Sequence, residues 1–250
     1  MDRDIKRANL KNIAVVLNEP RYPENIGAAA RCCKNMGIDR LVCVKPRLLD
    51  KEKMLKMATH ESAELIENLE VFDSLKECLE KFNMVIGTTA RTGRQRRPTD
   101  TPRSIAKDIV RISQENKVAL LFGSEKFGLT NDDLKLCHRL VTIPTAEFSS
   151  INLAQSVMIL CYEIFVATSS IKTPCPKIAS VKELEGMYEH LKEACLAIGF
   201  INPENPDYWM NNIRRLFARI ELRSKEVRVI RGFCRQILWA VKNKPTRKEN

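Results

Sequence analysis

An α/β domain with a mostly parallel sheet, followed by a small helical module, is what the sequence predicts, on three observations. Short apolar runs of strand length alternate with helical stretches from residue 12 to residue 167, as in a parallel sheet with crossover helices. Two of those runs, residues 118–122 and 140–143, each end in a polar loop. In open parallel sheets that carboxyl edge is where ligands bind. Beyond a linker with two prolines the strand signal stops, and three apolar stripes at helical spacing remain.

Along the chain, residues 12–17 read as a buried strand. The loop NEPRYPENIG leads into a helix over 26–36, closed by Gly37, since glycine tolerates the left-handed turn that ends a helix. Residues 41–44 form a strand stopped by Pro46. Residues 51–80 hold two or three helical pieces around a weak strand at 70–72, and 83–86 is a strand ending on Gly87. Pro102 stands where a first helical residue belongs, ahead of a helix over 105–113. Thr130 with Asp133 is a capping pattern opening a short helix. A long helix over 151–167 puts Leu153, Val157, Leu160, Cys161 and Ile164 on one face.

These signals divide the chain into a domain over 1–168, a linker over 169–180, a helical basic extension over 181–241 and a tail over 242–250 expected to be disordered. The stripes of the extension are Leu184, Tyr188, Leu191 and Leu196; then Trp209, Ile213, Leu216, Phe217 and Ile220; then Val227, Ile230, Cys234, Ile237 and Leu238.

The 250 residues carry a net charge of +11, which suggests an anionic partner, nucleic acid first. After Ser170 there are 16 Lys and Arg against 9 Asp and Glu. The densest cluster is Arg214, Arg215, Arg219, Arg223, Lys225, Arg228, Arg231 and Arg235; a second is Arg91, Arg94, Arg96, Arg97 and Arg103. From these clusters and the first loop, Arg21, Arg91, Arg94, Arg214, Arg215 and Arg219 are candidate RNA contacts. The charged amino terminus is no signal peptide, and no apolar run approaches the roughly 18 residues of a membrane span. The nine cysteines form no C-x-x-C pair, so reduced, buried thiols in a cytoplasmic protein are expected. Cys137–His138 could suggest a metal or a nucleophile, but packing is the stronger reading and no metal is expected.

Glycine is scarce, at nine residues, yet Gly87, Gly93, Gly123 and Gly128 lie at or just beyond the ends of two strands. Backbone that turns tightly or meets a ligand closely explains that placement. The first strand is not followed by G-x-G-x-x-G, and no G-x-x-x-x-G-K-[ST] occurs. An ordinary dinucleotide or nucleoside-triphosphate site is therefore not expected.

PENIGAAAR at 23–31, FGSEKFGL at 122–129, then LVTIP and SSINLAQS at 140–144 and 149–156, resemble the three motifs of the SpoU branch of the SPOUT RNA methyltransferases, in that family's order. The resemblance covers about residues 10–168. Residues 181–235 resemble the C-terminal extension of tRNA-modifying members. It implies a sheet ending in a C-terminal trefoil knot, S-adenosylmethionine as methyl donor, and methylation of a ribose 2′-hydroxyl. The extension narrows the substrate to tRNA, at nucleotide 32 of the anticodon loop; ribosomal RNA is the alternative, because members acting there share the motifs. An inactive RNA-binding protein would have lost Arg31 or the glycine loops.

By the same resemblance, Thr88, Thr89, Ala90, Gly123, Gly128, Ile143, Ser149, Ser150 and Ile151 surround the cofactor. Arg31, Asn25, Glu125, Ser150 and Asn152 form the catalytic set. Glu125 is expected to hold Arg31 or Asn25 by a charge-assisted bond. Asn152, with Gln155 three residues on, resembles a capping box, and Ser149 or Ser150 could cap the same helix. The loop GRQRRPTDTP is more basic than the family pattern. The family pairs its first and last helices in a homodimer, and helix 151–166 has apolar residues on more than one face, as a helix with partners on two sides does.

Overall fold

The computed structural model describes residues 8–90, 100–167 and 177–243. The chain divides into two compact units, the second beginning at Lys177. The basic loop over 91–99 and most of the tail lie outside the described residues.

The first unit is a six-stranded, wholly parallel sheet. Its strands are β1 (Ile13–Asn18), β2 (Leu41–Val44), β3 (Glu70–Phe72), β4 (Met84–Thr88), β5 (Val118–Phe122) and β6 (Arg139–Val141), in the spatial order β3-β2-β1-β5-β4-β6. Every residue of β1, β2 and β5 is buried, which is why these strands are unbroken apolar runs rather than alternating ones. The edge strands β3 and β6 are short and only partly buried, which suits a sheet edge.

Helices α1 (Pro23–Asn35), α2 (Lys51–Ala58), α3 (Ala63–Glu67), α4 (Leu75–Leu79), α5 (Pro102–Ile112), α6 (Asn131–Lys135) and α7 (Leu153–Val166) join the strands. Proline opens α1 and α5, and Gly37, at φ 72°, follows the end of α1. α1 packs on both α2 and α7, and α5 packs on α7. α1 and α2 approach so closely that a Cβ on Gly27 would stand 2.0 Å from the Met54 carbonyl oxygen. Thr130 and Asp133 cap α6 reciprocally at 3.2 and 2.8 Å.

Several boundaries differ from expectation: α1 begins at Pro23 rather than residue 26, and β4 runs on to Thr88, while two others have a clear cause. β6 starts at Arg139 and ends at Val141, because Arg139 is neutralised by Asp100 and Asp108 and can enter the sheet. α7 starts at Leu153, because Asn152 caps it with bonds from the Ala154 and Gln155 N–H groups at 2.9 and 3.3 Å.

The second unit comprises α8 (Val181–Ala197), α9 (Pro206–Phe217) and α10 (Ser224–Lys242). Ala179, Met187, Tyr188, Ile201, Met210, Leu222 and Val227 form its buried core. Ile178 and Ala179, expected in the linker, are buried here. The stripe expected on α9 is also corrected. Ile213 and Phe217 pack on the core and Met210 is buried within it, whereas Trp209, Leu216 and, beyond the helix end, Ile220 are exposed.

Candidate active site

A cavity of about 280 Å³ opens at the carboxyl edge of the first unit's sheet. Three segments wall it: the end of β4, the loop after β5, and the chain from the end of β6 to the start of α7. All nine residues expected around a cofactor lie on it: Thr88, Thr89, Ala90, Gly123, Gly128, Ile143, Ser149, Ser150 and Ile151. The sequence did not single out Phe122, Ser124, Lys126, Phe127, Leu129, Val141, Leu153 or Ser156, which also line it. They are neighbours of the expected residues on the same segments; motif spacing locates a loop but not which of its side chains turn inward.

The walls are shaped largely by backbone. Thr88 Oγ1 donates to the Leu121 carbonyl at 3.2 Å, and Thr142 Oγ1 to the Thr89 carbonyl at 2.7 Å. The Thr89 N–H bonds the Val141 carbonyl at 2.9 Å. In the loop after β5 the two glycines serve different needs. A Cβ on Gly123 would lie 2.1 Å from the Gly128 carbonyl carbon and 2.2 Å from the Leu129 nitrogen. Gly128 has open space around it but a φ of +63°, which side chains disfavour. Its N–H closes the loop on the Ser124 carbonyl at 2.8 Å.

Beside the cavity a chain of hydrogen bonds joins the three motifs. Glu125 accepts from the backbone N–H groups of Arg21 (2.8 Å) and Tyr22 (3.4 Å) and from Asn25 Nδ2 (2.8 Å). Asn25 Oδ1 accepts from Asn152 Nδ2 at 3.0 Å. Asn152 Oδ1 faces the N-terminus of α7 as its cap. Each amide is thereby oriented: a carboxylate accepts only, so Asn25 must turn its NH2 to Glu125 and its oxygen to Asn152.

Of the two partners expected for Glu125, Asn25 is the one it holds, and Arg31 is not in contact with it. Arg31 is exposed and, among the described residues, its guanidinium has no hydrogen bond or ion pair; nor is it part of the cavity wall. Ser149 and Ser150 are exposed on the wall and do not cap α7, which Asn152 does alone.

Of the basic candidates, Arg91 and Arg94 lie outside the described residues. Arg21 is half-buried, and Arg215 and Arg219 are exposed. Arg214 is partnered within its own unit. Its guanidinium makes a bidentate pair with Glu185 at 2.6 and 2.7 Å and lies 4.3 Å from the Tyr188 ring centroid, so it packs the second unit internally.

The Cys137–His138 pair is structural. Burial drives the Cys137 thiol far above its ordinary range, and His138 Nδ1 accepts from the Val85 N–H at 3.1 Å. Burial likewise pushes Cys32 up to about 11 and Cys43 up to about 12. No group of side chains among the described residues could hold a metal, and no described helix is long and apolar enough to cross a membrane.

Residues 12–162 match the SpoU rRNA methylase family, and residues 182–249 match the C-terminal domain of the tRNA methyltransferase TrmJ. The chain belongs to the SpoU methylase family. On its TrmJ side, a tRNA (cytidine/uridine-2′-O-)-methyltransferase TrmJ of Cronobacter sakazakii is 36% identical over 94% of this chain and 100% of its own length. The protein of that name from Klebsiella pneumoniae is also 36% identical, over 91% of this chain and 97% of its own. The crystal structure of TrmJ from Z. mobilis ZM4 superposes with a TM-score of 0.78 at 31% identity, covering 90% of this chain and 98% of that one. The SpoU methyltransferase AviRb from Streptomyces viridochromogenes, 21% identical with a TM-score of 0.51 over 62% of this chain and 59% of its own, shares the fold. The first unit of this SpoU-family chain is thus a SPOUT methyltransferase domain.

Proposed function

We propose that the protein methylates a ribose 2′-hydroxyl of tRNA, in the cytoplasm, using S-adenosylmethionine, with nucleotide 32 of the anticodon loop as target. The observation that carries this reading is the hydrogen-bonded chain Glu125–Asn25–Asn152, which joins three separate motifs at the rim of one cavity. Its volume, about 280 Å³, is near the lower end of the roughly 300–1,000 Å³ of small-ligand sites. The wall fits the cofactor chemically: Leu129, Val141, Ile143 and Leu153 give apolar faces to an adenosyl group, and the backbone of Gly123 and of residues 149–151 gives polar edges. When bound, S-adenosylmethionine supplies an electrophilic methyl group.

The protein's task is then to place a ribose oxygen in line and help it lose its proton. Asn25 and Asn152, locked by their mutual bond, fix the mouth of the site. Arg31 grips the ribose and its phosphate with its planar guanidinium fork and stabilises negative charge growing on the 2′ oxygen. Arg31 lies off the wall of its own cavity, which suits a homodimer in which α1 and α7 pair and the RNA site draws on both copies. The second unit adds phosphate contacts, which position RNA rather than specify its sequence.

Nucleoside mass spectrometry on RNA from a strain lacking the protein tests this. Loss of 2′-O-methylation at tRNA nucleotide 32 is expected. A loss confined to ribosomal RNA, or no loss at all, would overturn it.

A further inference from the structure

Helix α10 buries one side and leaves the other uncovered. Val227 and Cys234 are buried, Ile230 packs on the core, and Arg231 Nε reaches His190 Nδ1 on α8 at 3.4 Å. The opposite side carries Lys225, Arg228, Val229, Gly232, Phe233, Arg235 and Trp239. Val229 is 57% exposed, Phe233 67% and Trp239 60%. Arg228, Gly232, Arg235 and Trp239 follow one another at intervals of four, three and four residues, so they form one ridge along the helix.

Three features of this ridge point outward. Its cations are available: Lys225 and Arg235 have no partner among the described residues, and Arg228 Nε meets only the Ser224 carbonyl, at 3.2 Å. Glu226, the single carboxylate in α10, accepts from the Arg223 N–H at 2.7 Å and leaves them uncompensated. Gly232 sits in mid-helix, where glycine is less stable than alanine. Nothing in this unit requires it: a Cβ there would meet only Arg235 Nη2, at 4.0 Å. By contrast, a Cβ on Gly186 would already touch Arg231, at 3.5 Å. A residue that weakens its helix without an internal cause, between two arginines and beside exposed aromatic rings, suits a ligand that comes close to the helix backbone.

We propose that this face of α10 binds unpaired loop nucleotides of RNA. Arg228 and Arg235 hold phosphates on either side of Gly232, whose missing side chain lets the sugar–phosphate strand approach. Phe233 and Trp239 take bases on their ring faces. Stacking on aromatic side chains with flanking cations is how single strands are bound, and it needs bases already free of a duplex. A second protein helix would favour an apolar strip not interrupted by three unpaired cations. The inference rests on RNA being the substrate.

The test uses the full chain, a tRNA transcript, fluorescence anisotropy and thermal melting. Gly232→Ala should raise the melting temperature while weakening tRNA binding about fivefold, a loss of ~1 kcal/mol at RT ≈ 0.59. Arg228→Ala and Arg235→Ala should each flatten the salt dependence of binding by about one in the log–log slope. Trp fluorescence should be quenched by tRNA in Trp209→Phe and unquenched in Trp239→Phe. A Gly232→Ala protein that melts higher and binds tRNA as tightly as wild type overturns the proposal. So does a change in sedimenting mass in place of a change in tRNA affinity, which would make the ridge a protein contact. If RNA were not the substrate, the wild-type chain itself would fail to bind the transcript, whereas failure of this inference alone leaves wild-type binding intact and the variants equal to it.

Discussion

Arg31 and Gly123 sit at opposite extremes of constraint. The Arg31 guanidinium has no partner among the described residues, so removing it leaves no buried group unsatisfied and should hardly move the melting temperature. If it stabilises charge on the ribose oxygen, Arg31→Ala should lower turnover about a hundredfold or more, with cofactor affinity measured by calorimetry unchanged. Arg31→Lys should also fail, because a point charge does not reproduce a planar fork. Near-native turnover in either variant, assayed with saturating tRNA, would remove Arg31 from the mechanism. Gly123 is the reverse case. A methyl group there overlaps the backbone of Gly128 and Leu129, which cannot swing aside as a flexible side chain would. Gly123→Ala should destabilise the fold by about 3 kcal/mol and abolish cofactor binding, read by thermal melting and calorimetry.

Strands and helices built on apolar runs were readable from the sequence because their signal is local: β1, β2 and β5 are buried over their whole lengths, and the caps of α6 and α7 lie beside the helices they start. The misplaced start of β6 has a non-local cause. Arg139 argues against a strand until Asp100, 39 residues earlier, and Asp108, 31 residues earlier, are brought to it by the fold. The pairing of Arg214 is illegible for the same reason, since counting charge cannot see Glu185, 29 residues away. In the site, motif spacing locates the loops and leaves Asn25 and Arg31 both open as partners of Glu125; the fold chooses Asn25 and adds the Arg21 and Tyr22 N–H groups.

The Arg139 cluster also links element packing to the site. The Asp100 side chain is 6% exposed, and the Asp100 carbonyl accepts from the Thr142 N–H at 3.0 Å, beside the cavity residues Val141 and Ile143. Asp100→Asn should therefore destabilise the domain by about 2 kcal/mol and weaken cofactor binding as well. Asp108, on α5, is more exposed, and Asp108→Asn should lower the melting temperature without a matching loss of affinity. Equal effects on affinity in calorimetry would show that the pair only holds the fold together.

At the level of assembly, α7 is the informative helix. Val157, Leu160, Cys161 and Ile164 are buried within one chain, yet Tyr162, Phe165 and Val166 remain 50%, 46% and 45% exposed. Glu163, among them, is committed to a bidentate pair with Arg103 on α5, at 3.1 and 3.3 Å. Three large side chains in water near the end of one helix, with Glu163 among them paired to Arg103, favour burial against a second copy. A dimer would also account for Arg31, unpartnered among the described residues on α1, the helix that packs on α7: its proposed target would be RNA held at the cavity of the other copy. The chain of 28.6 kDa should therefore sediment at twice its mass at micromolar concentration. Phe165→Glu places a charge in the contact and should return it to the monomer mass. That variant should keep cofactor affinity, because Phe165 lies off the cavity wall, and lose tRNA methylation, because the site would no longer draw on two chains. A wild-type protein that sediments as a monomer ends this reading. A monomeric Phe165→Glu protein with full turnover would keep the dimer but show that each chain carries a complete site.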